Sequence, residues 1–295
     1  MAVFIQEAGD RFSRRFFLKQ KFLKKTTSTF LPFPFSILLL ITFLLSLLTL
    51  SRNITWGNEI SLWKDCIAKA GTKARAYRIL ADAFQKEKKW NEAIFNYKRS
   101  LEIEPSSPWT LNNLAGVYEA LGFLDKAMDL YEEASRRYPE FADALNNMGN
   151  IAMKKKKMDE AIRYLSLAAS KKVNPVCYYN LGTVYLETKK LDDALIWMKK
   201  ARDLNEDFSP VHANLGMIYY LKNYSEAAIA ELKRALEINP DQVEAHVNLG
   251  IIYYIDMKLK DDRIALRHLR RALELAPDFS KADILKNIIK EIEKK

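Results

Sequence analysis

The sequence predicts an all-α fold: a superhelical solenoid of helix-turn-helix repeats with one N-terminal transmembrane helix. The first observation is the tripeptide Asn-Leu-Gly or a close variant, whose copies start 34, 33, 34 and 34 residues apart. The copies begin at Asn113, Asn147, Asn180, Asn214 and Asn248. A fixed period of about 20 to 50 residues predicts stacked units that bury their apolar faces against each other. The second observation is an uncharged apolar run at residues 30–50.

Each repeat carries further residues at fixed positions around the tripeptide. With Pro108 as position 1, the second repeat has small residues at positions 8 and 20, large residues at 7, 11 and 24, and a proline at 32. In that order they are Ala115 and Ala127, then Leu114, Tyr118 and Tyr131, then Pro139. Small residues let two antiparallel helices approach closely, large residues fill the space around them, and the proline ends the second helix.

This pattern resembles the tetratricopeptide repeat (TPR), which has W-x2-L-G-x2-Y, then A-x3-F, then P. The resemblance covers residues 74–279 and implies six repeats, at 74–107, 108–141, 142–174, 175–208, 209–242 and 243–279. The sequence departs from the family at position 4, where no repeat has tryptophan and repeats 5 and 6 have His212 and His246. Repeat 3 is one residue short, and repeat 6 has three extra residues near 258–262.

Positive charge is concentrated before the apolar run. The chain has a formal net charge of +10, and residues 1–29 hold seven Lys or Arg against two acidic residues. We therefore interpret residues 1–29 as a basic cytoplasmic segment. The remaining excess is spread thinly over the rest of the chain, which gives no reason to expect nucleic-acid binding.

Residues 30–50 predict a membrane anchor, because 21 residues at about 1.5 Å each span a bilayer core of roughly 30 Å. Pro32 and Pro34 also allow a later start at Phe35, which leaves a shorter helix. A cleaved signal peptide is the alternative. The long basic region and the lack of a small-x-small site after Leu50 favour an uncleaved, single-pass anchor in the cytoplasmic (inner) membrane.

The flanking charges predict the orientation of this anchor. Seven basic residues precede it, whereas the next twenty residues contain three. The positive-inside rule then keeps the N-terminus inside and places the repeats in the extracytoplasmic or periplasmic space. Cys66 and Cys177 lie about three repeats apart, too far to form a disulfide, and unpaired thiols argue mildly against an oxidising compartment.

Two segments flank the repeats. Residues 51–73 are interpreted as a linker and a half-repeat capping helix with Ile60, Trp63 and Ile67 on one face, and residues 280–295 as a C-terminal capping helix. The arrangement R-N-x2-W-x2-E-x2-L-W-x-D at 52–65 resembles the junction before the C-terminal repeats of transmembrane, TPR-containing O-mannosyltransferase-like proteins. The resemblance implies extracytoplasmic repeats, but we expect this chain to lack the catalytic membrane domain.

The sequence offers no catalytic site, cofactor site or metal site, so we expect a protein that is not an enzyme. No Gly-rich phosphate loop, nucleophile motif or group with metal-ligand spacing appears. Both His212 and His246 occupy a packing position, which favours a structural role for them. The four lysines at 154–157 fall in a turn, where solvated side chains are the default interpretation and an anionic partner the alternative.

We expect the inner surface of the solenoid to bind a peptide or protein partner. The TPR resemblance implies that positions 2, 5, 6, 9, 12 and 13 line this groove, which grades from polar in repeats 1–3 to apolar in repeats 5 and 6. The candidate binding residues are Asn113, Asn147, Asn180, Asn214, Asn248, Met217, Tyr220, Ile251 and Tyr254. Coverage by the terminal helix, or by a second copy of the chain in a homo-oligomer, is the alternative.

The five asparagines, all at position 6, form a ladder with two interpretations. In the protein O-GlcNAc transferase family, whose repeats this region resembles, such asparagines run along the inner surface and hold an extended peptide. An amide suits this task because it both donates and accepts hydrogen bonds. The competing interpretation is that the ladder helps the first helices pack.

Two functions from different classes follow from these observations. The first is a non-catalytic, membrane-anchored scaffold that binds a peptide or protein partner in an extracytoplasmic assembly. The alternative is a detached repeat domain that serves a multi-span membrane glycosyltransferase, active in protein O-glycosylation and encoded on another chain.

Overall fold

The computed structural model describes residues 32–70, 73–279 and 282–294, so the predicted basic segment at 1–29 lies outside the described residues. The described residues form fifteen α-helices and contain no β-strand, which confirms the predicted all-α fold. The chain divides into two units, residues 1–72 and 73–295, which are described separately.

The first unit contains helices α1 (Pro32–Trp56) and α2 (Glu59–Ala70). Helix α1 begins at Pro32 and not at Phe35, because proline is tolerated in a first turn, where its missing N–H has no partner anyway. Its stretch Ile37–Ile54 has a mean hydropathy of 2.0 and exposed side chains, and by length and composition it could cross a membrane. The hydroxyls of Thr42, Ser46 and Thr49 donate to backbone carbonyls of the same helix, so they need no water.

The second unit is a series of six helix pairs followed by one more helix. The first helices are α3 (Ala74–Lys86), α5 (Pro108–Ala120), α7 (Ala142–Lys154), α9 (Pro175–Glu187), α11 (Ser209–Leu221) and α13 (Val243–Ile255). The second helices are α4 (Trp90–Ile103), α6 (Leu124–Arg137), α8 (Met158–Lys171), α10 (Leu191–Leu204), α12 (Ser225–Ile238) and α14 (Asp262–Leu275). The terminal helix is α15 (Ala282–Glu293).

The turn inside each of the first five pairs contains one residue in the left-handed conformation. The five residues are Lys88, Gly122, Lys156, Lys189 and Asn223, with φ between 57° and 81°. The lysine run at 154–157 surrounds one of these turns. Lys154 pairs with Glu119 and Lys155 with Asp125, both in the preceding repeat, so two of the four lysines have partners within the protein.

The first helices line the inner surface. Most of them contact the first helix of the next repeat, as α11 contacts α13, whereas no comparable contact joins successive second helices among the described residues. Helices that lie closer together occupy the inside of a curved stack. The curvature therefore presents one face of α3, α5, α7, α9, α11 and α13 as a continuous groove.

The two helices of a pair meet at position 8, and two kinds of contact occur there. In repeats 1 and 2, Ala81 and Ala115 are fully buried, and the pair encloses a tyrosine at position 24. In repeats 3 to 6 the residue is glycine. A Cβ at Gly216 would lie 2.5 Å from Leu232 Cγ and 3.0 Å from the carbonyl oxygen of Ala228, so a side chain does not fit.

The terminal helix α15 packs on the last repeat. Leu285 and Ile292 are buried with Ala265, Leu269 and Ala272 of α14 in one apolar cluster. The polar residues of α15 remain exposed, so this helix covers the apolar end of the stack with a hydrophilic face.

We expect Gly216→Ala to lower the free energy of unfolding, because overpacking costs about 1–3 kcal/mol and exceeds the helix-propensity gain of about 1 kcal/mol. Gly116→Ala is the matched control, since the nearest heavy atom to its new Cβ would be Tyr131 Oη at 3.7 Å. Thermal and urea unfolding of the two variants would measure both effects. Equal stability of the two variants would contradict this account of position 8.

Candidate functional site

The five ladder asparagines all lie, half-buried, along the inner surface. Four of them donate the side-chain amide to an oxygen on the first helix of the preceding repeat. The donor–acceptor pairs are Asn113 Nδ2 to Asp82 Oδ1 at 2.9 Å, Asn147 Nδ2 to Asn112 Oδ1 at 3.1 Å, Asn180 Nδ2 to Asn146 Oδ1 at 2.9 Å, and Asn214 Nδ2 to Thr183 Oγ1 at 3.3 Å. Each of these bonds links two consecutive repeats.

Asn248 differs from the other four. The acceptors of the other bonds stand at position 5 or 9 of the preceding repeat, and in repeat 5 these positions hold Ala213 and Met217. Neither side chain offers an oxygen. Among the described residues, no hydrogen bond joins the Asn248 side chain to the protein, so its donor and acceptor are available to another molecule.

The polar end of the groove is held by a network around Asp82. One carboxylate oxygen accepts from Tyr97 Oη at 2.5 Å and from Asn113, and the other accepts from Arg78 at 3.1 Å. Tyr97 also lies 2.7 Å from Gln85 Oε1. Burial and the bond to Asp82 raise the pKa of Tyr97 well above its usual range. This end of the groove therefore satisfies its own polar groups.

In repeat 2 a second buried tyrosine also donates to a carboxylate on the first helix of its repeat. Tyr131 Oη donates to Glu119 at 3.1 Å, and the other oxygen of Glu119 accepts from Lys154 at 2.6 Å. Burial, followed by the nearby charge of Glu119, raises the pKa of Tyr131. A cavity of about 370 Å³ opens beside this cluster, lined by Glu119, Asn150, Met153, Lys154, Asn180 and Glu187.

The four predicted apolar site residues lie at the other end of the inner surface. Met217 and Tyr220 on α11 are half-buried, and Tyr220 packs on the apolar core of repeats 5 and 6. Ile251 and Tyr254 pack on the cluster shared with α15, and Tyr254 Oη donates to Glu291 of α15 at 2.5 Å. The terminal helix thus engages Tyr254.

The charges of the groove also change along its length. Helices α9, α11 and α13 carry two carboxylates, Glu187 and Glu244, and no lysine or arginine. Burial and the charge of Glu244 raise the pKa of Tyr179, and burial and Asp256 raise that of Tyr220. The C-terminal half of the groove is therefore apolar, rich in tyrosine and negatively charged.

Comparison with protein families identifies these helix pairs. A model described as "TPR repeat" matches residues 81–122 and 216–255, and two described as tetratricopeptide repeats match 112–175 and 176–208. Together they cover more than half of the chain. The chain belongs to the tetratricopeptide repeat family. Proteins with TPR repeats bind peptides or other proteins as scaffolds.

The chain is similar to other proteins in sequence or in fold. Photosystem I assembly protein Ycf3 of Prochlorococcus marinus is 34% identical over 91 residues, which are 29% of this chain and about half (53%) of that relative. The APC/C hetero-tetramer Cut9–Hcn1 aligns with a TM-score of 0.68 and 20% identity over 78% of this chain and 45% of the other. Pseudomonas aeruginosa pilF aligns with a TM-score of 0.63 and 21% identity over 72% and 96%. At these identities the two structures show the fold alone.

The two TPR histidines at position 4 have partners within the protein. His212 lies 2.6 Å from Glu231 through Nδ1 and 2.9 Å from the carbonyl oxygen of Glu206 through Nε2. His246 Nε2 donates to the carbonyl oxygen of Pro240, so its Nδ1 accepts from His268 at 2.8 Å. Burial, His246 and Arg267 lower the pKa of His268 to about 4. Among the described residues, no group of three His, Cys, Asp or Glu side chains could hold a metal ion.

The sequence predicted the ladder of asparagines but not the acceptors of their side-chain hydrogen bonds. The acceptors stand at positions 5 and 9, so comparing these positions between repeats would have separated Asn248 from the rest. Tyr179 and Glu244 were not among the predicted site residues. The charge of Glu244 in repeat 6 contributes to the raised pKa of Tyr179 in repeat 4, an effect between repeats that the pattern of one repeat does not reveal.

We expect Asn180→Ala to destabilise the chain by about 1–3 kcal/mol, because it leaves the side-chain oxygen of Asn146, a residue only 8% exposed, without its donor. Asn248→Ala removes no hydrogen bond to a described residue and should stay within about 0.5 kcal/mol of the parent chain. Urea unfolding monitored by circular dichroism compares the two variants. Equal losses would show that Asn248 is also structural.

Proposed function

We propose that this chain is a non-catalytic scaffold, tethered to the cytoplasmic membrane by α1, that binds a peptide or protein partner on its inner surface. The single observation that carries the proposal is the C-terminal half of that surface. It presents apolar side chains and an amide, that of Asn248, with no hydrogen bond to any described residue, whereas polar side chains of the N-terminal half bond to each other. A concave apolar surface with a few placed polar groups is typical of a binding site.

The tether is supported by the length and apolarity of α1 and by the charges around it. The helix is long enough for a bilayer, and seven basic residues stand before residue 30. The positive-inside rule then favours an N-terminus inside and repeats outside the cytoplasm. In this orientation the groove would serve an extracytoplasmic assembly.

The proposed topology predicts selective labelling of one cysteine. Cys66 on α2 is half-buried, whereas Cys177 is 2% exposed and burial raises the pKa of its thiol. Since the thiolate is the reactive form, a membrane-impermeant maleimide should label Cys66 alone in intact cells. Mass spectrometry of the labelled chain measures this result, with Cys66→Ser as the control. Labelling of Cys66 only after lysis would place the repeats in the cytoplasm.

The proposed binding surface predicts where a partner can be crosslinked. A benzophenone amino acid in place of Tyr220 should form an adduct of discrete mass when the full chain is irradiated in its native membrane. The matched control replaces Leu167 on the second helix α8, whose side chain is exposed away from the groove. Adducts from position 167 and none from position 220 would contradict binding on the inner surface.

A second candidate function rests on the sequence at residues 52–65. Its resemblance to the junction in O-mannosyltransferase-like proteins favours a repeat domain that serves a multi-span glycosyltransferase on another chain. In this segment Arg52 lies over the ring of Trp56, 4.5 Å from its centroid, at the end of α1. A multi-span protein without repeats, encoded immediately upstream and co-purifying with this chain, would favour this candidate over the general scaffold.

A further inference from the structure

We propose that repeats 4–6 bind an extended peptide segment that is both apolar and positively charged, with Asn248 holding its backbone. The inference rests on the proposed function, because it assumes that the inner surface binds a peptide or protein. The proposed function leaves three points open that this inference names: the part of the groove that binds, the chemistry of the partner, and the ladder asparagine that contacts the partner.

Four of the five ladder asparagines are already bonded to a neighbouring repeat. Asn113, Asn147 and Asn180 donate to the preceding repeat at 2.9–3.1 Å, and Asn214 does so at 3.3 Å. A peptide could accept a hydrogen bond from these amides only if the bond between two repeats were broken. Asn248 faces Ala213 and Met217 instead, so its amide can donate to a peptide carbonyl and accept from a peptide N–H without such a loss.

Apolar residues lie on both sides of Asn248. Met217 precedes it on the inner surface, and Ile251, half-buried against the cluster shared with α15, follows it on the same helix. Methionine adapts its shape to different apolar partners. In an extended peptide, alternate side chains point to opposite faces, so every second residue would contact Met217 and Ile251.

The charged side chains on α9, α11 and α13 are all acidic. An acidic peptide over these helices would find Glu187 and Glu244 and no lysine or arginine. A basic side chain would find these carboxylates and the tyrosine rings of the same helices. Carboxylates and tyrosine rings both attract cations, so this half of the groove complements a basic peptide.

The N-terminal half of the groove lacks this complementarity. Arg78 is paired with Asp82, and Lys154 with Glu119, so these cations are already neutralised within the protein. The polar groups around Asp82 also have internal partners. The structure therefore favours the C-terminal end of the groove as the site for a basic peptide.

The test uses the full chain in detergent micelles and four fluorescein-labelled probe peptides of about 12 residues, a length that covers roughly 40 Å when extended. In three probes, leucine alternates with lysine, serine or glutamate, and in the fourth, serine alternates with lysine. We expect the leucine–lysine probe to bind at least about tenfold more tightly than the leucine–glutamate probe, measured by fluorescence anisotropy. Because the chain has a net charge of +10, non-specific attraction would give the opposite order.

Variants then locate the site. Asn248→Ala should weaken binding of the leucine–lysine probe about five- to tenfold without changing the melting temperature, and Glu187→Gln with Glu244→Gln should reduce the preference for lysine over glutamate. The matched controls are Asn96→Ala on α4, and Glu132→Gln with Glu226→Gln on α6 and α12. These residues lie on second helices, so their variants should bind the probe as the parent chain does.

The outcomes separate this inference from the proposed function. Tighter binding of the leucine–glutamate probe, or an Asn248→Ala variant with unchanged affinity, would overturn the inference and leave a peptide-binding groove in place. Equal binding of the leucine–lysine and serine–lysine probes would also overturn it, by removing the apolar contribution. If none of the four probes binds and the benzophenone at position 220 crosslinks only to a second copy of the chain, both proposals are wrong.

Discussion

The close contact between the two helices of each repeat is the constraint on which the rest of the structure depends. Where position 8 is glycine, as at Gly149 and Gly216, a leucine from the second helix fills the space that a Cβ would occupy. Where position 8 is alanine, the second helix supplies Tyr97 or Tyr131, whose hydroxyl reaches the inner surface. In repeats 1 and 2, therefore, alanine at position 8 goes with a tyrosine hydroxyl on the inner surface.

The two ends of the groove have different properties. In repeats 1 and 2 the tyrosine hydroxyls bring Asp82 and Glu119 into internal networks, and the ladder amides extend these links toward repeat 4. In repeats 5 and 6 position 24 holds leucine, the positions facing Asn248 are Ala213 and Met217, and within the described part of the chain the Asn248 amide has no hydrogen bond. We therefore propose that the two ends of the groove differ in role, one being structural and the other binding a partner.

The ladder spacing was sufficient to predict the all-α solenoid, because each copy must stack on the next to bury its apolar face. The sequence did not determine the start of α1, because prolines at 32 and 34 are compatible with a helix that begins at Pro32 or at Phe35. The structure shows that the helix begins at Pro32. The partners of the ladder depend on positions 5 and 9 of the neighbouring repeat, which the period alone does not reveal. The effect of the Glu244 charge on the pKa of Tyr179 acts between repeats 4 and 6, so the pattern of a single repeat does not predict it.

The central claim is that one end of the inner surface binds while the other end is structural. Amide hydrogen exchange of the full chain, with and without the leucine–lysine probe at saturation, tests it most directly because it reports every helix in one experiment. The account predicts added protection in α11 and α13 and unchanged exchange in α3 and α5. Protection of α3 and α5, or equal protection of all six first helices, would contradict it.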